Sequence, residues 1–219
     1  VLCKSSTGYS SFFNCLQGLK QGCIVSPILF SLLINELANE LILNGKHGVM
    51  LTSNEIELFL MLFADDLTLL ASTAVGLQHQ LNILQRETEK LHLTVNTGKP
   101  KIIVFRKGGF LGAKEKWFLN GNELEVVNSY KYLGLIFSTR HSFTSAMQET
   151  KLRGKKCVND IISTLRKIEC NSPDIFFKLF DTQVVPLLLY ASEVWGYMPH
   201  KQLEQVYLYA CKRFLHVRN

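Results

Sequence analysis

Asp65 and Asp66 are adjacent carboxylates in a run from Leu58 to Ala71 that holds almost no other polar group. Bringing ionised carboxylates against apolar surface costs about several kcal/mol unless cations or donors compensate, and neighbouring carboxylates also repel each other. A divalent cation offsets both terms. Mg²⁺ prefers oxygen ligands and keeps open positions for phosphate, so two carboxylates at the tip of a β-hairpin suit it. Asp is also a common turn residue, and a solvated hairpin tip accounts for the same two residues. On these residues alone both readings stand.

The elements that must position the pair can be read around it. Ser26-Pro27 predicts a helix start with Ser as N-cap and Pro at the first helical position. Leu29, Leu33, Leu37 and Leu41 then repeat along one face, and Asn44-Gly45 marks the end. After a polar loop around Thr52-Ser53-Asn54 comes the Asp hairpin. A second helix starts near Thr73, carries Leu77, Leu81, Leu84 and Leu91, and ends before Val95. Residues 101–105 read as a strand, and strand, helix, strand on one sheet outlines a split βαβ unit. Asn120-Gly121 predicts a hairpin turn, and residues 130–137 a β element turning at or near Gly134. From Phe143 to Ile168 the period becomes helical and basic. Ser172-Pro173 starts another helix running towards Val185-Pro186, and Leu203, Val206, Tyr207, Ala210 and Phe214 stripe a last one. The expected architecture is α+β over residues 1–138, followed by a helical part over 139–219.

The 219 residues, 47% hydrophobic, suffice for a real core. No secretory signal is visible, and Asn35, Glu36, Asn39 and Glu40 interrupt the apolar stretch from Ile28 to Leu43, so an intracellular chain with no membrane partner is expected, nuclear or cytoplasmic. The opening Val suggests part of a longer polypeptide. Six cysteines at 3, 15, 23, 157, 170 and 211 show no zinc spacing and are expected to be reduced, without disulfide partners; His79 and His92 are expected on a helix surface. The net charge of +6 is uneven. Residues 1–98 hold 5 Lys/Arg and 8 Asp/Glu, and residues 99–219 hold 19 and 10, so the second part carries +9. A basic surface of this kind suits a polyanion, although a solvated charged face has the same composition.

Four segments in order resemble a reverse transcriptase. Residues 17–30 (Gln17-Gly18-Leu19-Lys20-Gln21-Gly22 through Phe30) resemble palm motif B, Phe63-Ala64-Asp65-Asp66 motif C, Val95-Asn96-Thr97-Gly98-Lys99 motif D, and Tyr130-Lys131-Tyr132-Leu133-Gly134 motif E, the primer grip. Leu189-Tyr190-Ala191-Ser192-Glu193-Val194-Trp195-Gly196 resembles the segment after the thumb in LINE-type, non-LTR retrotransposon enzymes, which makes that group a nearer match than group II intron maturases. The resemblance implies a polymerase palm, with a ferredoxin-like antiparallel sheet and helices on one face, followed by a thumb. It implies Asp65 as a metal-binding carboxylate with Asp66 beside it, two Mg²⁺ or Mn²⁺ ions, Gln21 and Gly22 against template and nucleotide, and Lys99 near the triphosphate. Tyr132, Leu133 and Gly134 would hold the primer end. RNA template, DNA primer and deoxynucleoside triphosphates are the implied partners.

Three departures accompany the resemblance. No Asp or Glu occurs from Val1 to Asn35, so the motif A carboxylate that the family places upstream of motif B, with its strand and the fingers, is expected to lie outside this chain. Pro100 follows Lys99 where the family usually has Thr, removing an N–H and stiffening the loop, and Phe63 stands where Tyr is more usual. Two readings follow: a segment of an RNA-directed DNA polymerase that is inactive alone, or a degenerate remnant that at most binds nucleic acid. An upstream open frame with a motif A aspartate favours the first, and a stop or frameshift the second.

Overall fold

The computed structural model describes residues 4–6, 8–12, 18–19, 22–45, 47–51, 56–96, 98–106, 108–109, 111–112 and 115–217. Two compact units form, one from Val1–Pro100 with Leu111–Leu124, the other from Lys101–Phe110 with Glu125–Asn219. Helices and small, mostly antiparallel strand pairs make up both, the mixed architecture expected from the sequence.

The first unit is built on two helices. α1, Ser26–Asn44, is capped by Val25, which is itself helical. Ser26 therefore lies inside the helix and is not its N-cap: its N–H already donates to the Cys23 carbonyl at 3.3 Å, so the turn before the Ser-Pro signal starts the helix early. Gly45 ends it, donating to Leu41 at 2.7 Å. Leu37, Ala38 and Leu41 are buried, whereas Leu29 of the expected stripe is exposed. By length and composition α1 could cross a membrane. α2, Ala74–Lys90, starts at Thr73, whose Oγ1 accepts from the Gly76 N–H at 3.0 Å. It buries Leu81, Ile83 and Leu84, and also Gln80, Glu87 and Thr88. Glu87 is answered by Lys90 at 2.8 Å and Arg86 at 2.7 Å, which hold its carboxyl below the ordinary value. His79 is exposed on α2, and His92 lies just past the helix with a positive φ of 52°.

Among the described residues the strands form six two-stranded pairs. β1 (Lys4–Ser5) pairs with β2 (Gly8–Tyr9), β3 (Val49–Leu51) with β4 (Ile56–Leu58), and β5 (Leu60–Phe63) with β6 (Asp66–Leu69), all antiparallel. Among these described pairs none joins the Asp hairpin to residues 101–105, where a single sheet was expected. β7 covers only Lys101–Ile102 and pairs in parallel with β10, Glu125–Val126. Beyond it the chain is used otherwise: Val127 donates to the Ile102 carbonyl at 2.8 Å, and the Phe105 ring stacks on His141 at 5.4 Å. β8 (Phe118–Leu119) and β9 (Asn122–Glu123) close around Asn120-Gly121, both at positive φ, the type I′ pattern that such a dipeptide favours. Trp117 is buried and donates through Nε1 to the Ala74 carbonyl at 2.9 Å, fastening this hairpin to α2.

In the second unit β11, Ser129–Tyr132, pairs antiparallel with β12, Leu135–Ser138. α3, Thr144–Lys167, is the long basic helix. Its buried Val158, Ile161, Ile162 and Leu165 pack with Phe176, Phe180, Val184, Leu188, Val206 and Ala210 from the elements that follow. Those elements are α4 (Pro173–Leu179), a π-turn (Phe180–Val184), α5 (Val185–Leu188), α6 (Ser192–Trp195) and α7 (Lys201–Phe214). The wide π-turn falls just before Pro186, whose missing N–H and ring obstruct a regular α-turn. Gly154 sits where a Cβ would come within 3.0 Å of Val206 and 2.9 Å of Leu188, so its bare Cα lets these elements approach α3. On α7, Val206 and Ala210 are buried as expected, but Tyr207 is half exposed and meets Phe180 only edge-on, at 5.8 Å.

Candidate active site

The Asp hairpin owes its shape to alternation. In its register Leu60 faces Leu69, Met61 Thr68, Leu62 Leu67 and Phe63 Asp66. Directly paired residues share a face and successive ones alternate. One face is therefore four leucines, and the other carries Met61, Phe63, Asp66 and Thr68. Ala64 and Asp65 form the two-residue turn, with Ala64 at φ 53°, a left-handed conformation costly for a residue with a Cβ. Asp65 and Asp66 are both exposed at the tip, so their desolvation is small here.

The base of the hairpin is held from inside. The Leu70 N–H donates to the Phe59 carbonyl at 2.8 Å, extending the strand pairing by a step. The fully buried Gln80 donates through Nε2 to the Leu70 carbonyl and to the Gly45 carbonyl, each at 3.1 Å. One amide thus ties the end of α1, the base of the hairpin and α2. Among the described residues its Oε1 is buried without a hydrogen-bond partner. The leucine stripe of α2 concealed this residue in the sequence; the available signal was a glutamine at a position facing the core.

Lys99 is exposed on a turn in which its N–H donates to the Asn96 carbonyl at 3.2 Å while Asn96 Oδ1 accepts from Gly98 N–H at 3.0 Å. Among the described residues no ion pair joins Lys99 to Asp65 or Asp66. Gly22 is exposed with φ 79°, a conformation that glycine adopts freely, and Gln21 lies outside the described residues. Leu133 and Gly134 form the β11–β12 turn with φ values of 45° and 85°, and Tyr132, half-buried, pairs with Leu135. Beside this turn Lys131 binds Glu149 of α3 at 2.7 Å, and Arg153 pairs with the same carboxylate. The two cations, Lys131 first, hold the Glu149 carboxyl below its ordinary range.

Asp65 and Asp66 provide hard oxygen donors of the kind that suits Mg²⁺. Among the described residues no group of three His, Cys, Asp or Glu side chains converges. Cys23, Cys157, Cys170 and Cys211 are free thiols, and burial raises the pKa of Cys157, with Asp160 adding to the rise.

The family model described as reverse transcriptase (RNA-dependent DNA polymerase) matches residues 2–137. The RNA-directed DNA polymerase from mobile element jockey of Drosophila funebris is 26% identical over 214 residues, covering 93% of this chain and 21% of its own length. A transposon-derived protein of Caenorhabditis elegans is 28% identical over 145 residues, 62% of this chain and 48% of its own. The Pol polyprotein of the type-1 retrotransposable element R2 of Bradysia coprophila is 26% identical over 140 residues, 60% of this chain and 16% of its own. The chain therefore spans half or less of the length of these relatives. The matched region takes in both the Asp65–Asp66 hairpin and the Tyr132–Gly134 turn, its relatives include the mobile-element polymerases that the four segments resemble, and by this match the chain belongs to the reverse transcriptase (RNA-dependent DNA polymerase) family.

Proposed function

We propose that this chain is the palm and thumb portion of a non-LTR retrotransposon polymerase, extending a DNA primer on an RNA template when joined to residues that complete its metal ligands. The observation that carries this is the exposed Asp65–Asp66 pair at the tip of a leucine-backed hairpin, within the family match. Asp65 and Asp66 would hold Mg²⁺ or Mn²⁺. Bound there, two such ions supply activation of the primer 3′-hydroxyl and stabilisation of the leaving pyrophosphate.

The remaining roles belong to the chain itself. Gly22 allows the template and incoming nucleotide to approach the backbone, with Gln21 offering a donor and an acceptor. Lys99 partners the triphosphate charge. Tyr132, Leu133 and Gly134 hold the primer end, and the basic residues of α3 follow the phosphate backbone. Residues 1–138 act as partial palm and 139–219 as thumb. The work takes place inside the cell, in nucleus or cytoplasm, without a membrane partner. A remnant that only binds nucleic acid is the second reading, favoured by Pro100 after Lys99.

Primer extension tests this. The 219-residue chain alone is expected not to extend a primer on an RNA template with Mg²⁺. A longer polypeptide that includes an upstream acidic motif is expected to extend it and to lose about a hundredfold or more on Asp65→Asn. Efficient extension by the 219-residue chain contradicts the incomplete ligand set. Full activity of Asp65→Asn in the longer polypeptide removes Asp65 from the site.

A further inference from the structure

The segment Leu189 to Gly196 has no part in the roles above, yet it is folded against the Leu133–Gly134 turn. The Tyr190 hydroxyl donates to the Leu133 carbonyl at 2.6 Å, across 57 positions of sequence. The same ring lies over Gly134 so closely that a Cβ there would sit 3.2 Å from Tyr190 Cε1. Gly134 thus has two reasons to lack a side chain, its φ of 85° and this ring. Tyr190 is in turn fixed from behind. Its carbonyl accepts from Trp195 Nε1 at 2.9 Å, and Ala191 reverses the chain in a left-handed conformation at φ 57°. Trp195 is buried with Leu135, Ala146 and Met147, so the fastening reaches a core shared by β12 and α3.

We infer that Tyr190 is a positioning residue for the primer-holding turn: through Leu133 and Gly134 it sets where the turn presents itself to a primer 3′ end. This rests on the primer-grip reading of Tyr132, Leu133 and Gly134. The ring makes the packing contact and the hydroxyl fixes the carbonyl, so Tyr190→Phe separates the two. Because Tyr190 is more than half exposed, the variant should fold as the wild type does.

The test uses the 219-residue chain in two measurements. In hydrogen exchange, Tyr190→Phe is expected to speed exchange at the Leu133 to Leu135 amides about fivefold while residues 173–188 and 201–214 stay unchanged. Unchanged exchange at the turn overturns the fastening. In the second, an RNA–DNA primer-template carrying a photoreactive group at the primer 3′ end is expected to cross-link to residues 132–134 of the wild type. Tyr190→Phe should lower that yield about fivefold with total duplex affinity within twofold and the melting temperature unaltered. An undiminished yield, or a loss that only tracks lower affinity or stability, overturns the positioning role. Wild-type cross-links that fall away from 132–134 overturn the primer-grip reading, and the exchange result then still decides whether Tyr190 fixes the turn.

Discussion

The Gln80 side-chain amide lies 3.1 Å from the Leu70 carbonyl, at the base of the hairpin whose tip is Asp65–Asp66, and the same nitrogen reaches Gly45 at the end of α1. A fully buried donor shared by two carbonyls fixes the hairpin base relative to both helices, and removing it strands both acceptors. Gln80→Met keeps the length and removes the donor. It is expected to destabilise the chain by about 2–3 kcal/mol, measured by urea denaturation, and to speed exchange at the hairpin base.

At the other end of the same hairpin, Ala64 holds φ 53°. Replacing it with Gly relieves a left-handed Cβ and is expected to stabilise by about 0.5–1 kcal/mol, the entropy of the unfolded glycine offsetting part of the gain. Ala64→Val is expected to destabilise, since a β-branched side chain tolerates positive φ least. Denaturation midpoints check both signs.

Much of this was legible in the sequence because the signals were local. Asn120-Gly121 and Gly134 turn as their residue types favour, Thr73 caps α2, and the period of α3 placed that helix within a residue or two. The carboxylate pair was also visible, since two adjacent acids in apolar sequence stand out. What escaped was non-local. The partner of β7 lies more than twenty residues downstream in β10, Gln80 looked like an ordinary polar residue of an amphipathic helix, and the Tyr190 contact spans 57 positions. Ser26 misled for the opposite reason: a strong local signal gave way to a turn that had already begun at Cys23.

The depressed Glu149 carboxyl gives a pH prediction. A lowered folded value contributes stability that is fully present above the ordinary value of 4.5 and is lost as the pH falls through the folded value. Lys131 and Arg153 are the cause. Glu149→Gln is expected to remove this part of the acid destabilisation, so the stability difference from wild type should shrink as the pH is lowered below 4.5. A difference that stays constant from neutral pH downward contradicts it. The pair is partly exposed, so the effect is small.

The +9 charge of residues 99–219 predicts salt-sensitive, sequence-tolerant binding of an RNA–DNA primer-template. If about five phosphates are neutralised, affinity should fall by a few hundredfold between about 50 and 200 mM salt. Fluorescence anisotropy across that range measures the slope, and replacing Lys151, Lys155 and Lys156 with Ala should flatten it. A flat salt profile for the wild type contradicts a phosphate-binding thumb.

The metal role of the hairpin tip is tested most directly by Mn²⁺ titration of the 219-residue chain followed by paramagnetic broadening of its amide NMR signals. Selective broadening at residues 63–67 is expected, weak because the ligand set is partial, and lost in the Asp65→Asn, Asp66→Asn double variant. Absence of broadening at the tip, or its survival in the double variant, contradicts Asp65 and Asp66 as the metal-holding edge of a polymerase site.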